Sequence, residues 1–130
     1  MTQPERYPPD DPREWMGRAR GNLARAKRRA PGDYLEDLCF DAQQAAEKAL
    51  KAVFISRGVE FPYTHDLGRL LSLLDEVGDA IPEEVRRAEI LSDYAWASRY
   101  PSAAPPVTEQ AYADAISMAE AVVRWAEKRQ

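Results

Sequence analysis

The chain has a single histidine, a single cysteine, few glycines and no long apolar run, and each shortage closes off a class of chemistry. With only His65 and Cys39 available, no zinc-finger or zinc-protease ligand set can be assembled, and one cysteine forms no internal disulfide. Cys39 falls on the apolar side of an amphipathic stretch, away from the loop that carries His65, and reads as a small core residue rather than a nucleophile. The six glycines stand singly at helix ends or inside the first helix, so no glycine-rich phosphate loop exists. No apolar run approaches the ~20 residues of a membrane span. The opening MTQPERYPPDDP lacks the hydrophobic segment of a secretory signal, which makes a cytoplasmic location the expectation. No stretch alternates with period two for long enough to form a strand. No metal and no cofactor are expected.

What is present describes one globular domain. The chain has 130 residues, 45% hydrophobic and 31% charged, ordinary values for a chain that can bury a core without staples. Charge is uneven: residues 1–30 carry eight Lys/Arg against four Asp/Glu, and the remainder ten against eighteen. The pI near 5.1 argues against a broad nucleic-acid footprint. The run Arg18, Arg20, Arg25, Lys27, Arg28, Arg29 reads first as a solvated helix face, with phosphate contact as the alternative.

The apolar spacing predicts helices. Residues 1–10, with Pro4, Pro8 and Pro9, lack periodicity and form a flexible leader, followed by a helical domain over 11–130. Asp11-Pro12-Arg13-Glu14 has the form of a capping box, opening a first helix that buries Trp15, Ala19, Leu23 and Ala26 and ends at Pro31-Gly32. Asp33-Tyr34-Leu35-Glu36 is a second such box, opening the central helix Leu35 to Arg57. The apolar positions of that helix fill an arc of about 200°, so it is contacted on two sides. Asp37, Asp41, Gln44, Glu47, Lys48 and Lys51 take the remaining arc, facing water or a polar partner, and Phe40 projects among them.

Thr64 caps a third helix over Leu67, Leu70, Leu71 and Leu74, closed by Gly78. Pro82 opens a fourth, with Val85, Ala88, Leu91 and Ala95 inward and Arg99-Tyr100-Pro101 as its stop. After a proline-rich loop to Val107, Tyr112, Ala115, Ile116, Ala119, Val122, Val123 and Ala126 form the face of a fifth. The result is an all-α, antiparallel up-and-down four-helix bundle with an additional helix.

The segment Cys39-Phe40-Asp41-Ala42-Gln43-Gln44-Ala45-Ala46-Glu47-Lys48-Ala49-Leu50-Lys51-Ala52, then Gly58, Thr64-His65-Asp66-Leu67 and Arg99-Tyr100-Pro101, closely resembles HEPN domains in order and spacing. The resemblance covers about residues 11 to 128. It implies a helical bundle that commonly dimerises, is often encoded beside a minimal nucleotidyltransferase, and by its family name binds nucleotides. Many HEPN proteins are metal-independent ribonucleases marked by an arginine, four to six residues and a histidine. Here the positions that would supply that arginine to His65 are Gly58, Val59 and Glu60, and the nearest upstream arginine, Arg57, has seven residues between.

Two readings follow. The first is a non-catalytic nucleotide-binding and interaction module acting with a nucleotidyltransferase partner in a two-component, toxin–antitoxin-like system. Its ligand-binding residues would be Arg99, Tyr100, Lys48 and His65, and its homodimer interface Phe40, Gln44 and Glu47. Arg99 is equally well read as a helix-end residue satisfying the dipole, and His65 as a capping or linker contact. The second reading is a ribonuclease with a non-standard site built from Arg99, Tyr100 and His65.

Overall fold

A computed structural model describes residues 2–97 and 105–130, and among them every regular element is helical. These elements are α1 (Pro12–Lys27), α2 (Leu35–Ser56), α3 (Leu67–Glu76), α4 (Glu83–Arg86), a 3-10 stretch (Arg87–Asp93), α5 (Tyr94–Ala97) and α6 (Glu109–Glu127). None of these helices is long and apolar enough to cross a membrane.

The central helix is α2, and its breadth of apolar surface decides the packing. It touches α1 and α6 along its length and α3, the 3-10 stretch and α5 besides. Ala42, Ala45, Ala46, Ala49 and Ala52 are fully buried, and such small side chains let neighbouring helix axes approach closely. Leu50, Val53 and Phe54, joined by Leu67, Leu70, Leu71 and Leu74, fill the rest. Burial of each leucine or phenylalanine contributes about 1.5–3 kcal/mol.

Ion pairs fix the direction of the helices. Arg20 pairs with Glu127 at 2.6 Å, Lys27 with Glu120 at 3.5 Å and Arg29 with Glu109, so α1 and α6 run antiparallel. Much of the basic run on α1 is therefore engaged within the molecule. α1 is likewise antiparallel to α2: the Lys51 ammonium lies over the Trp15 ring, while Asn22 and Arg25 reach back to Asp41.

The caps depart from the sequence pattern in instructive ways. Asp11 caps α1 as expected, accepting from the Arg13 amide at 2.9 Å. Glu14, however, does not close a capping box. Its carboxylate accepts from the Tyr7 amide and from Arg6 and Arg18, tying the irregular leader back onto α1. Asp33 accepts from the Ala30 amide and holds the turn, so α2 starts at Leu35 behind Tyr34, which gives no side-chain cap. Thr64 accepts from the Asp66 amide, and Asp66 rather than Thr64 caps α3. For Thr64 the nearer amide wins, because Ser/Thr side chains bond a free amide two residues on, whereas Glu14 and Asp33 turn back to amides that precede them.

The end of α2 is a Schellman turn. Gly58, at φ +68°, donates to Ile55 and lets the Val59 amide reach the Phe54 carbonyl at 3.1 Å.

The expected continuous fourth helix is not continuous. It begins at α4, tightens into the 3-10 stretch and relaxes into α5. The reason lies in the spacing Val85, Ala88, Leu91, Tyr94, which repeats every third residue and suits three residues per turn. The Ser92 hydroxyl in this stretch accepts from the Leu67 amide at 2.9 Å and pins it to the start of α3.

Candidate functional site

The side of α2 that faces the 58–66 linker carries a buried polar cluster. Gln43, Glu47 and Lys51, at i, i+4 and i+8, form one stripe, and they are 0%, 4% and 8% exposed. The pattern assigns Glu47 and Lys51 to the outward arc, but the structure buries both. The linker crosses this stripe, Phe61 and Trp15 pack edge to face at 5.4 Å, and the Lys51 ammonium sits 5.2 Å from the Phe61 ring centroid. Two aromatic rings thus close over a cation that would otherwise face water. The sequence signal was the 200° apolar arc, which leaves too little room for a wide solvated face.

Glu47 is the hub. One carboxylate oxygen accepts from Lys51 at 2.8 Å, and the other accepts from Gln43 at 2.9 Å and lies 2.8 Å from His65 Nδ1. Burial pushes the Glu47 carboxyl up, and the hydrogen bonds from Lys51, Gln43 and His65 outweigh it, so the group ends below the usual carboxylate range. Gln43 is oriented in turn by Gln44, which donates to its side-chain oxygen at 2.7 Å. A carboxylate so placed assigns the proton to His65 Nδ1. Among the described residues Nε2 has no hydrogen-bond partner.

His65 stands half-exposed at the edge of a recess of about 490 Å³ lined by Tyr63, Thr64, Asp66, Ser92, Asp93 and Trp96. The His65 and Trp96 rings meet edge to face at 6.2 Å. Trp96 is 60% exposed, and Tyr63 is wholly exposed. Trp96 and Tyr63 are the residues that sequence reasoning missed. Only their position beside the linker and at the end of α5 brings them to the histidine.

The structure separates the other candidates. Lys48, one residue after Glu47, turns about 100° around the helix and lines a different recess, where it donates to Asn22. Arg57 is committed elsewhere, donating to both Asp79 carboxylate oxygens at 2.7 and 3.1 Å and to the Arg129 carbonyl. Ten helical steps, a rise of about 15 Å, separate it from Glu47. Arg99, Tyr100 and Pro101 fall outside the described residues. At the expected interface, Phe40 and Gln44 are half-buried and Glu47 lies within the cluster. Phe40 is therefore not the projecting ring that the helical wheel suggests.

Cys39 is buried, and loss of solvation pushes its thiol up to about 11, which keeps it un-ionised and unreactive. Among the described residues no three His, Cys, Asp or Glu side chains converge as metal ligands.

Known proteins place this arrangement. Residues 12–129 match the family profile described as HEPN domain. The fold is similar to the crystal structure of TT1696 from Thermus thermophilus, with 34% identity and a TM-score of 0.79 over 92% of this chain and 98% of that one. It is also similar to ST0689, an archaeal HEPN homologue, with 26% identity and a TM-score of 0.73 over 91% and 96% of the two chains. A HEPN domain protein from Thermotoga maritima, tm0613, matches at 25% identity and a TM-score of 0.55 over 90% and 91%. Comparison with curated proteins finds no match. The chain belongs to the HEPN domain family.

Proposed function

We propose that this HEPN chain is a non-catalytic binding module that takes a nucleotide, or an anionic group of a nucleotidyltransferase partner, at the recess around His65. The two proteins would work as a two-component system of toxin–antitoxin type. The partner rests on the family resemblance, and the site on geometry.

The observation that carries the site is the pairing of a fixed imidazole with exposed aromatic rings. Glu47 is saturated by Lys51 and Gln43 and holds His65 by Nδ1, so Nε2 serves as a positioned contact. Trp96 and Tyr63 offer flat apolar surface to a base. Arg99 and Tyr100 follow Ala97 by two and three residues in sequence and supply a guanidinium for phosphate and a further ring. Against cleavage stands the direction of Arg57 toward Asp79, so the nearest arginine upstream of His65 in sequence is committed elsewhere.

Titration calorimetry of the full chain with ATP and GTP, on wild type, Trp96→Ala and Arg99→Ala, tests the reading. A charge-assisted contact contributes about 1.5–3 kcal/mol, so Arg99→Ala weakens binding roughly ten- to a hundredfold. Equal binding by a folded Arg99→Ala protein, or no binding by wild type, removes the assignment. Cleavage of single-stranded RNA that disappears in His65→Ala establishes the ribonuclease reading instead.

A further inference from the structure

On the other side of α2, a cleft of about 270 Å³ opens between the leader, α1 and the middle of α2. Arg6, Arg13, Arg18, Arg25 and Lys48 line it, against only two carboxylates, Glu5 and Glu14. Asp11 and Asp41 add their charges from outside the lining, through Arg13 at 2.7 Å and Arg25 at 3.4 Å, and the balance stays positive. Glu14 serves Arg6 and Arg18 together, at 3.1 and 2.6 Å.

Lys48 differs from these arginines. Its ammonium donates to a neutral partner, the Asn22 side-chain oxygen at 2.8 Å, and no carboxylate pairs with it among the described residues. Asn22 is buried and is itself oriented by Asp41 at 2.9 Å, so the ammonium is held in place rather than free to swing. Loss of solvation, then the nearness of Arg25 and Arg18, lowers the pKa of this lysine. A bound anion would relieve both costs.

The floor of the cleft is bare. Gly17 and Gly21, one turn apart within α1, line it, and a Cβ added to either meets nothing within 4 Å. Each weakens the helix relative to alanine, and nothing in the packing of the chain requires either. The two glycines expose backbone where a ligand can approach closely. A second copy of the chain is a poor occupant, since a two-fold axis here would set arginines against arginines.

We propose that this cleft binds the phosphate chain of a small phosphorylated ligand, with Lys48 as the fixed point charge and the Arg18 and Arg25 guanidinium groups as its planar contacts. No aromatic side chain lines the cleft among the described residues, so the phosphates are recognised and the base is not. The site shares no residue with the His65 recess and stands or falls independently of it.

The test is titration calorimetry of the full chain with inorganic pyrophosphate, ATP and a short single-stranded RNA in low salt, on wild type, Lys48→Gln and Gly21→Leu. Pyrophosphate and ATP bind wild type, and Lys48→Gln weakens pyrophosphate by at least about tenfold, the loss of one charge-assisted contact. Gly21→Leu, which improves helix propensity while filling the floor, folds and loses pyrophosphate as well. Lys48 and Gly21 line the cleft and not the recess, so their loss of pyrophosphate separates this site from the recess. Wild type that binds no pyrophosphate, RNA binding without pyrophosphate binding, or folded Lys48→Gln and Gly21→Leu proteins that bind it like wild type each overturn the proposal.

Discussion

Glu47 and Lys48 are adjacent in sequence and stand in opposite electrostatic situations. Glu47 is a buried charge with every need met, by an ammonium, an amide and an imidazole. Lys48 is a half-buried charge with one neutral contact, on which burial and the nearby Arg25 and Arg18 weigh more than Glu47 and Asp41 relieve it. The 100° turn between consecutive helical residues sends one under the linker and the other toward α1. The difference teaches that α2 supports a rigid polar core on one side and an unsatisfied cation on the other. Rigidity favours positioning His65, whereas an unsatisfied cation favours a ligand.

The largest expected effect breaks the satisfied side. Glu47→Gln leaves Lys51 buried without its countercharge. We expect a loss of about 3 kcal/mol in urea denaturation, the low end for a broken buried pair because His65 opens the cluster to water. Glu47→Gln combined with Lys51→Met removes both charges and recovers most of that loss. A double variant as unstable as Glu47→Gln would show that the pair itself is not the source of the cost.

The next effect is acid sensitivity. The folded pKa of Glu47 is depressed, so its contribution is complete above its unfolded value of about 4.3 and is lost as pH falls through the lower folded value. Melting temperature therefore falls on acidification below that pH, and less steeply in Glu47→Gln. Parallel profiles for the two proteins would place the acid sensitivity elsewhere.

Lys48→Met tests the other side and should be nearly neutral, within about 0.5 kcal/mol of wild type, since the loss of the Asn22 contact is offset by relief of repulsion from Arg25 and Arg18. A loss comparable to that of Glu47→Gln would erase the contrast between the two sides. The smallest effect belongs to the exposed pair of Arg29 and Glu109, where Arg29→Ala should lower the melting point slightly at low salt and not at all in 0.5 M salt, about half the Debye length of physiological buffer. A decrease that persists in high salt would mean that Arg29 acts through packing on Tyr112 instead.

The sequence by itself determined where helices form and the apolar part of their inward faces, apart from α1, which buries Met16 and Asn22 more fully than the expected Trp15 and Leu23. Leu67, Leu70, Leu71 and Leu74 and the alanine row of α2 are buried as their spacing requires, because a period near 3.6 has one geometric solution. The stops at Gly58 and Gly78 were equally legible, since both sit at positive φ, where glycine alone is unstrained. The choice of cap was not, because Asp33 and Thr64 had two free amides within reach and only the path of the loop selects one. Nor was the 3-10 stretch, whose three-residue repeat is too short to stand out from a helical one.

The candidate site divides the same way. His65 was legible as the one histidine in the chain, but its partner Glu47 was not, because a helical wheel gives direction and cannot know what will cross it. Burial of the Gln43, Glu47 and Lys51 stripe depends on the linker returning over α2 with Phe61 against Trp15. The gathering of Arg6, Arg13, Arg18 and Arg25 around Lys48 depends on the leader folding back to Glu14. Both are contacts between segments distant in sequence. Local spacing fixes which way a side chain leaves its helix, while the tertiary structure decides whether water, a ring or another charge awaits it there.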